Sequence, residues 1–268
     1  MKNIIKISFL LVFAILIFTP TSVGAHQPRI NEQTETIVVN PEVSKVYYGK
    51  LGGKSPTYII NSDKTFNLYV NVLVPDIKDA TKNVSAVIFK DANFYSPIAI
   101  LDATKFEWIH FWEKFGRDWY WQGPEYKARV DAGKYEILIW SNNNDSKYAL
   151  AIGEIETFNG KEIINALKLI PKIKRDFFNE SPIGLILSPF GWGYILIMYV
   201  LAFVTGLIYR AILKKFTKNI DKKDRLFRLA LGIGLLIWAI TTTWNPILLF
   251  LSGFAIFKAI HKNTRPAN

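Results

Sequence analysis

Two long stretches without a charged residue constrain this chain more than anything else in it. Ile183–Tyr209 runs 27 residues and Leu229–Phe257 runs 29 residues without an Asp, Glu, Lys or Arg. A helix needs about 20 apolar residues to cross the ~30 Å hydrocarbon core of a bilayer, so either stretch is long enough. The second is broken by Thr241-Thr242-Thr243-Trp244-Asn245-Pro246, a turn signal inside an apolar run. That predicts a helical hairpin, roughly Asp224–Thr243 and Pro246–Ile260, in preference to one long Pro-kinked span. Three spans then result. None has an ionisable residue in its interior, and such residues usually mark ion or proton pathways, so transport by this chain alone is not expected.

The N-terminus has a different design. Lys2 and Lys6 flank a short apolar run, Ile7–Phe18, followed by the small-residue step Val23-Gly24-Ala25. This predicts a signal peptide over residues 1–25, cleaved after Ala25; the alternative is an uncleaved signal anchor. The chain has no cysteine, which excludes a lipoprotein anchor, disulfides and thiolate metal sites.

Net charge is +11, which first suggests a nucleic-acid partner. Its distribution argues against one. From His26 to Glu180 basic and acidic residues balance at 20 each. The excess lies in the leader, in Arg210–Arg228 and in the tail from Lys258 onward, always beside a hydrophobic segment. That is the positive-inside pattern of membrane topology. The expected order is a signal peptide (1–25), an extracytoplasmic β-sandwich (26–157) and a juxtamembrane helix and linker (158–182). A first span (183–209), a basic cytoplasmic loop (210–228), a transmembrane hairpin (229–260) and a cytoplasmic tail (261–268) follow. The expected location is the cell membrane, with the large domain outside.

Lys218-Asn219-Ile220-Asp221-Lys222-Lys223-Asp224-Arg225-Leu226-Phe227-Arg228, then Leu231-Gly232-Ile233-Gly234 and Leu251-Ser252-Gly253-Phe254-Ala255-Ile256-Phe257, resemble the small two-helix inner-membrane domain of unknown function (DUF2892-like). The resemblance covers about residues 216–261. It implies a hairpin that self-associates through its helices, with no known chemistry. Members often carry a Cys-Pro step after the second helix; here the chain reads Lys258-Ala259-Ile260-His261-Lys262, so no thiol role carries over. Gly232, Gly234 and Gly253 would let helices approach closely.

The outer region reads as β. Thr36–Val39, Lys45–Leu51, Thr57–Asn61, Phe66–Val74, Val84–Phe89, Tyr126–Val130, Lys134–Trp140 and Lys147–Ile152 are short runs rich in β-branched and aromatic residues, separated by Gly, Pro, Asn and Asp. They predict an antiparallel sandwich of jelly-roll or immunoglobulin-like topology. Asp131–Ile137 with Lys147–Gly153 resembles the closing hairpin of pre-peptidase C-terminal-type sandwiches. Glu162–Phe178 reads as a helix interrupted at Pro171.

In Phe106–Trp121 eight of sixteen residues are aromatic, including four of the chain's eight tryptophans. Trp108, Phe111, Trp112 and Phe115 recur at helical spacing, after a Thr104-x-x-Glu107 capping-box pattern. Alternation of Phe106, Trp108, His110 and Trp112 gives a strand instead. The rings either cover one end of the sandwich, form a platform for a sugar ring or peptide, or lie in the membrane interface. Trp108, Trp112, Phe115, Trp119 and Trp121 are the candidate ligand-binding residues.

Cleavage after Ala25 would make His26 the mature N-terminus. A terminal amine with its own imidazole chelates Cu(II), which favours nitrogen ligands in a tetragonal plane. His110, the only other exported histidine, would complete a copper-binding histidine brace. The bland reading is a lone surface histidine. No His-Glu-x-x-His, Gly-x-Ser-x-Gly or P-loop occurs, and Asp76, Asp79, Asp91 and Asp102 are scattered in loops. The leading expectation is therefore a non-enzymatic, membrane-anchored binding or assembly module. It would meet a protein or glycan outside and a second copy of itself through its helices. A copper-binding protein and an accessory subunit of a transport or secretion complex are the alternatives.

Overall fold

A computed structural model describes residues 26–114, 116–212 and 221–261. The expected signal peptide, Phe115, residues 213–220 of the basic loop and 262–268 of the tail lie outside the described residues. The chain divides into two compact units that meet at Glu180 and Ser181.

The first unit is a sandwich of eleven strands and one helix: β1 (Gln27–Asn31), β2 (Glu35–Ile37), β3 (Lys45–Lys50), β4 (Thr57–Ser62), β5 (Phe66–Pro75), β6 (Ser85–Lys90), β7 (Ala99–Leu101), β8 (Ile109–Glu113), β9 (Asp118–Val130), β10 (Gly133–Trp140), β11 (Lys147–Ile152) and α1 (Gly160–Asp176). One sheet has the order β1-β3-β11-β5-β9-β8 and the other β2-β4-β10-β6-β7. The sheets are mixed, where a fully antiparallel arrangement was expected. β1 runs parallel to β3, and β2 parallel to β4. The chain switches sheets at each step from β1 to β4, so each parallel pair is joined by a crossover through the facing sheet, as parallel pairing demands.

Alternation within the strands builds the core. Leu68, Val70, Val72, Val74, Ile88, Ile137, Ile139, Leu150 and Ile152 are buried between the sheets. Two tyrosine hydroxyls survive there because they bond each other: Tyr58 to Tyr148 at 2.8 Å, with the Asn31 amide donating to Tyr58 at 2.8 Å. The opposite phase of the six-stranded sheet presents Val46, Leu73, Tyr120, Ala149 and Ala151, which pack with Ile173, Phe177 and Phe178. Asn159 caps α1 by accepting from the Glu162 N–H at 3.0 Å. Pro171 sits inside α1 without ending it, although an interruption there was expected.

The aromatic segment departs most from the helical reading. Asp102, and not Thr104, caps a single 3-10 turn over Ala103–Lys105, and a strand follows. Ile109–Glu113 pairs with Asp118–Gln122 across a tight turn. Cross-strand pairing of bulky rings outweighs the helical spacing of the same residues.

One irregularity sets which way β9 faces. Asn71 pairs with Glu125 but Leu73 with Gln122, so β9 carries an extra residue at Gly123–Pro124. The Asn71 amide donates to the Gly123 carbonyl at 3.1 Å. The bulge reverses the alternation of β9, so that Trp119 and Trp121 share the face of Tyr126 and Val130.

The second unit is helical: α2 (Pro189–Ile212), α3 (Lys222–Thr241) and α4 (Pro246–Ile260). The expected hairpin is present, and Asn245 caps α4 by accepting from the Ile247 N–H at 2.8 Å. Ser252 ties the helices together: its hydroxyl donates to the Gly232 carbonyl at 2.7 Å and bonds the Tyr199 hydroxyl at 2.8 Å. A Cβ at Gly232 would stand 2.6 Å from Ile256, so this glycine permits the close approach of α3 and α4. Gly253 serves α2 instead, facing Ala202 and Tyr199, and Gly234 faces open space. Among the described residues one helix, α2, is long and apolar enough to cross a membrane.

Candidate functional site

The β8–β9 hairpin lies at the free edge of the six-stranded sheet. Its register pairs His110 with Trp121 and Trp112 with Trp119. These four side chains share one face, as alternation requires. Trp121 and His110 lie 4.6 Å apart, His110 and Trp119 stack at 4.2 Å with 13° between planes, and Trp119 and Trp112 lie 4.9 Å apart. The rings form one row, Trp121–His110–Trp119–Trp112. A cation caps each end: the Lys82 ammonium is 3.8 Å from the Trp121 ring centre, and the Arg117 guanidinium 5.6 Å from that of Trp112.

Asp76, just past the end of β5, holds the row in place. One carboxylate oxygen is 2.8 Å from His110 Nε2, and the other accepts from the Trp121 indole N–H at 3.1 Å. The Asp76 N–H donates to the Trp119 carbonyl at 3.0 Å. Trp119 remains 44% exposed. No indole N–H bond is made by Trp112 or Trp119 among the described residues, whereas Trp108 donates to Ala103 at 3.2 Å.

The other face of the hairpin carries Phe111, Glu113, Tyr120 and Gln122, which line a cavity of about 130 Å³ with His26, Tyr48 and Asn71. A buried ion pair closes this side. Lys174 of α1 and Asp118 are 3% and 5% exposed, 2.5 Å apart. Lys174 also donates to the Arg117 carbonyl at 2.8 Å and reaches Glu180 at 3.3 Å. Burial pushes the Asp118 carboxyl up to about 7, against the opposing pull of Lys174. The pair pins the turn that presents Arg117 to the row.

The sequence-predicted residues divide accordingly. Trp112, Trp119 and Trp121 come together, and His110 joins them. Trp108 does not: its ring lies against the sandwich core and over Gly123. Phe115 lies outside the described residues. His110 stands within the row and against Asp76. His26 sits on the opposite face of the sheet, where Nδ1 bonds the Ser44 hydroxyl and burial lowers its pKa. The two imidazoles of the alternative copper-brace reading are therefore not brought together. No group of three or more His, Asp or Glu side chains is placed to hold a metal ion among the described residues.

Lys82, Asp76 and Arg117 complete the site without any motif in the sequence that marks them. The hairpin itself was legible in one respect: His110/Trp121 and Trp112/Trp119 are placed symmetrically about the Phe115–Gly116 step, as paired positions of a hairpin must be. The contributions of Lys82 and Asp76 come from another loop and left no local signal.

No family model matches the chain, so the resemblance of residues 216–261 to a two-helix membrane domain gains no support from one. No curated protein matches it either. Among solved structures, the chain is similar to the pre-peptidase C-terminal domain of collagenase from Bacillus anthracis, at 10% identity and TM-score 0.27, covering 48% of this chain and 95% of that one. It is similar to the mitogen of Yersinia pseudotuberculosis at 15% identity and TM-score 0.28, covering 44% and 92%. It is similar to CorA, a surface-associated copper-binding protein of Methylomicrobium album BG8, at 7% identity and TM-score 0.25, covering 48% and 100%. At these values none of them assigns a role to any residue here.

Proposed function

We propose that this chain is a membrane-tethered, non-enzymatic binding or assembly module whose sandwich engages its partner outside the cytoplasm through the β8–β9 edge. The cation-capped row of four rings, with His110 and Trp119 exposed and Trp112 and Trp121 half-buried, carries this reading. Four large rings held in register at a sheet edge are costly to expose to water unless something covers them. His110 and Asp76 form a dyad, but no Ser or Thr hydroxyl is bonded to His110 among the described residues, and the chain has no cysteine. That favours binding over hydrolysis.

The tether is part of the same proposal. A cleaved signal peptide would export the sandwich. The apolar helix α2 and the α3–α4 hairpin would give three spans, with the basic segments inside as the positive-inside bias requires. Self-association would use the α3–α4 surface.

Site-specific photocrosslinking of the full chain in intact cells tests the reading. A crosslinker at Lys114, beside the row, is expected to form adducts that one at Ile173, on the buried face of α1, does not. Equal yields at both positions, or adducts at neither, would sink it. Protease shaving of the same cells should remove the sandwich while sparing the helical unit; a protected sandwich would overturn the topology.

A further inference from the structure

The row of rings has a property that narrows its partner. Its ring faces are largely occupied: His110 stacks on Trp119, Trp121 and Trp112 close on their neighbours at tilts of 31° and 52°, and Lys82 and Arg117 sit over the two end rings. A sugar or peptide ring would have to displace one of these contacts to stack. What the row offers outward is ring edges, cations and indole N–H groups. Its hydrogen-bonding character is one-sided. Lys and indole N–H groups only donate, and the carboxylate that reaches the row, Asp76, has both oxygens engaged. A complementary partner must be rich in acceptors and negatively charged.

The edge strand supplies a second constraint. β8 exposes apolar side chains on both faces: Ile109 is 56% exposed and Phe111 39% exposed on one, with the row on the other. A polymer lying on the row would cover one face only. A slab entered edge-on covers both. Aromatic side chains with an apolar body and a polar edge prefer the headgroup level of a bilayer, and cations near an anionic leaflet add attraction.

We infer that the β8–β9 edge docks on an anionic phospholipid surface, its ring edges entering the headgroup layer while Lys82 and Arg117 meet lipid phosphates. This rests on the reading of that edge as the binding surface and specifies what it binds. The row is then a rigid wedge. His110 is already stacked on Trp119 and Asp76 holds His110 and Trp121, so little side-chain entropy of these rings remains to be lost on docking.

The full chain, held in phosphatidylcholine nanodiscs, is offered separate vesicles of phosphatidylcholine with or without phosphatidylglycerol. Because the chain has no cysteine, Lys114→Cys carries a single fluorophore, and brominated acyl chains in the vesicles report insertion by quenching. Capture and quenching are expected only with phosphatidylglycerol, and weaken with added salt. Lys82→Gln and Arg117→Gln should each weaken capture about fivefold, while Lys82→Arg retains it. Trp119→Ala should reduce quenching more than capture, with far-ultraviolet circular dichroism unchanged. Equal capture by both vesicle types overturns the inference, as does capture unaffected by the charge substitutions. Binding of soluble polyphosphate without vesicle capture overturns the lipid partner and leaves the binding edge standing. If neither is bound and no crosslinks form at Lys114, the binding-edge reading falls as well.

Discussion

The two units of this chain differ in how many of their apolar side chains they leave outside. In the sandwich, Leu68 and Leu150 are fully buried between sheets, whereas in the helical unit Leu226 and Leu251 stand out from α3 and α4. Strands can hide an alternating apolar face only by pairing two sheets, so the sandwich makes its own interior. The helical unit covers its polar contacts instead: Ser252, Tyr199 and the buried Trp244 indole, which donates to the Pro182 carbonyl at 2.9 Å, point inward. Leu249 and Phe257 are buried beside them, so the contrast lies in how much apolar surface the helical unit leaves on its outside. The β8–β9 edge belongs to the sandwich but shares this outward habit.

The comparison is broken most severely at the ion pair beneath α1. Above pH 7, where Asp118 is ionised, Lys174→Ala would leave it buried without its cation and should cost about 3–5 kcal/mol in denaturant unfolding of the sandwich. Replacing both by apolar residues, Lys174→Met with Asp118→Leu, should recover most of that. If the single substitution is silent, the pair does not hold the hairpin against α1.

Identical truncations sharpen the contrast between units. Leu150→Ala should lose about 2–5 kcal/mol through lost burial and a residual cavity. Leu251→Ala in detergent should stay within about 0.5 kcal/mol. Equal losses would mean that the helical unit has an ordinary water-excluding core on that face.

Gly123→Ala strikes the bulge that turns Trp119 and Trp121 toward the row. A Cβ there would meet the Trp108 ring at 2.7 Å and the Val72 carbonyl at 2.9 Å. Overpacking of this kind costs about 1–3 kcal/mol, and hydrogen exchange should quicken across Ile109–Gln122 before it does in β10.

The gentlest test is pH. Asp118 titrates near 3.8 when unfolded and at about 7 when folded. Between those values the folded state holds a proton that the unfolded chain has released. Its contribution to stability is therefore full below about 4 and falls as pH rises toward 7. Asp118→Asn should remove that slope from thermal melts, and an unchanged slope would show that another group carries it.

Much of the architecture could be read from local pattern. Thr57–Asn61, Phe66–Val74, Lys134–Trp140 and Lys147–Ile152 alternate with period two, and each is a strand within one residue at either end. The turn at Trp244-Asn245-Pro246 split the last apolar run into two helices because Asn caps and Pro starts a helix. β1 and β7 carry no such pattern, and β8 shows it only as the alternative to a helix. They are short edge strands whose state depends on the neighbour they pair with.

The candidate site was half legible, for the same reason. Composition marked Phe106–Trp121, and three of its tryptophans stand in the row. Their order came from elsewhere: a bulge opposite Asn71, a carboxylate at the end of β5 and a lysine from the loop beyond. A period of two fixes which residues of one strand share a face. Only the pairing of distant strands decides which faces meet.

What this sequence determined alone is the partition of the chain. Uncharged runs of 27 and 29 residues and a charge-balanced segment of short alternating strands follow from hydrophobicity and local backbone preference, which act over a few residues. What the tertiary structure decided is the use of each ring. Trp108 became core and Trp119 surface, and His26 and His110 were sent to opposite faces. Those outcomes depend on register and burial between segments far apart in the chain, and no local propensity encodes them.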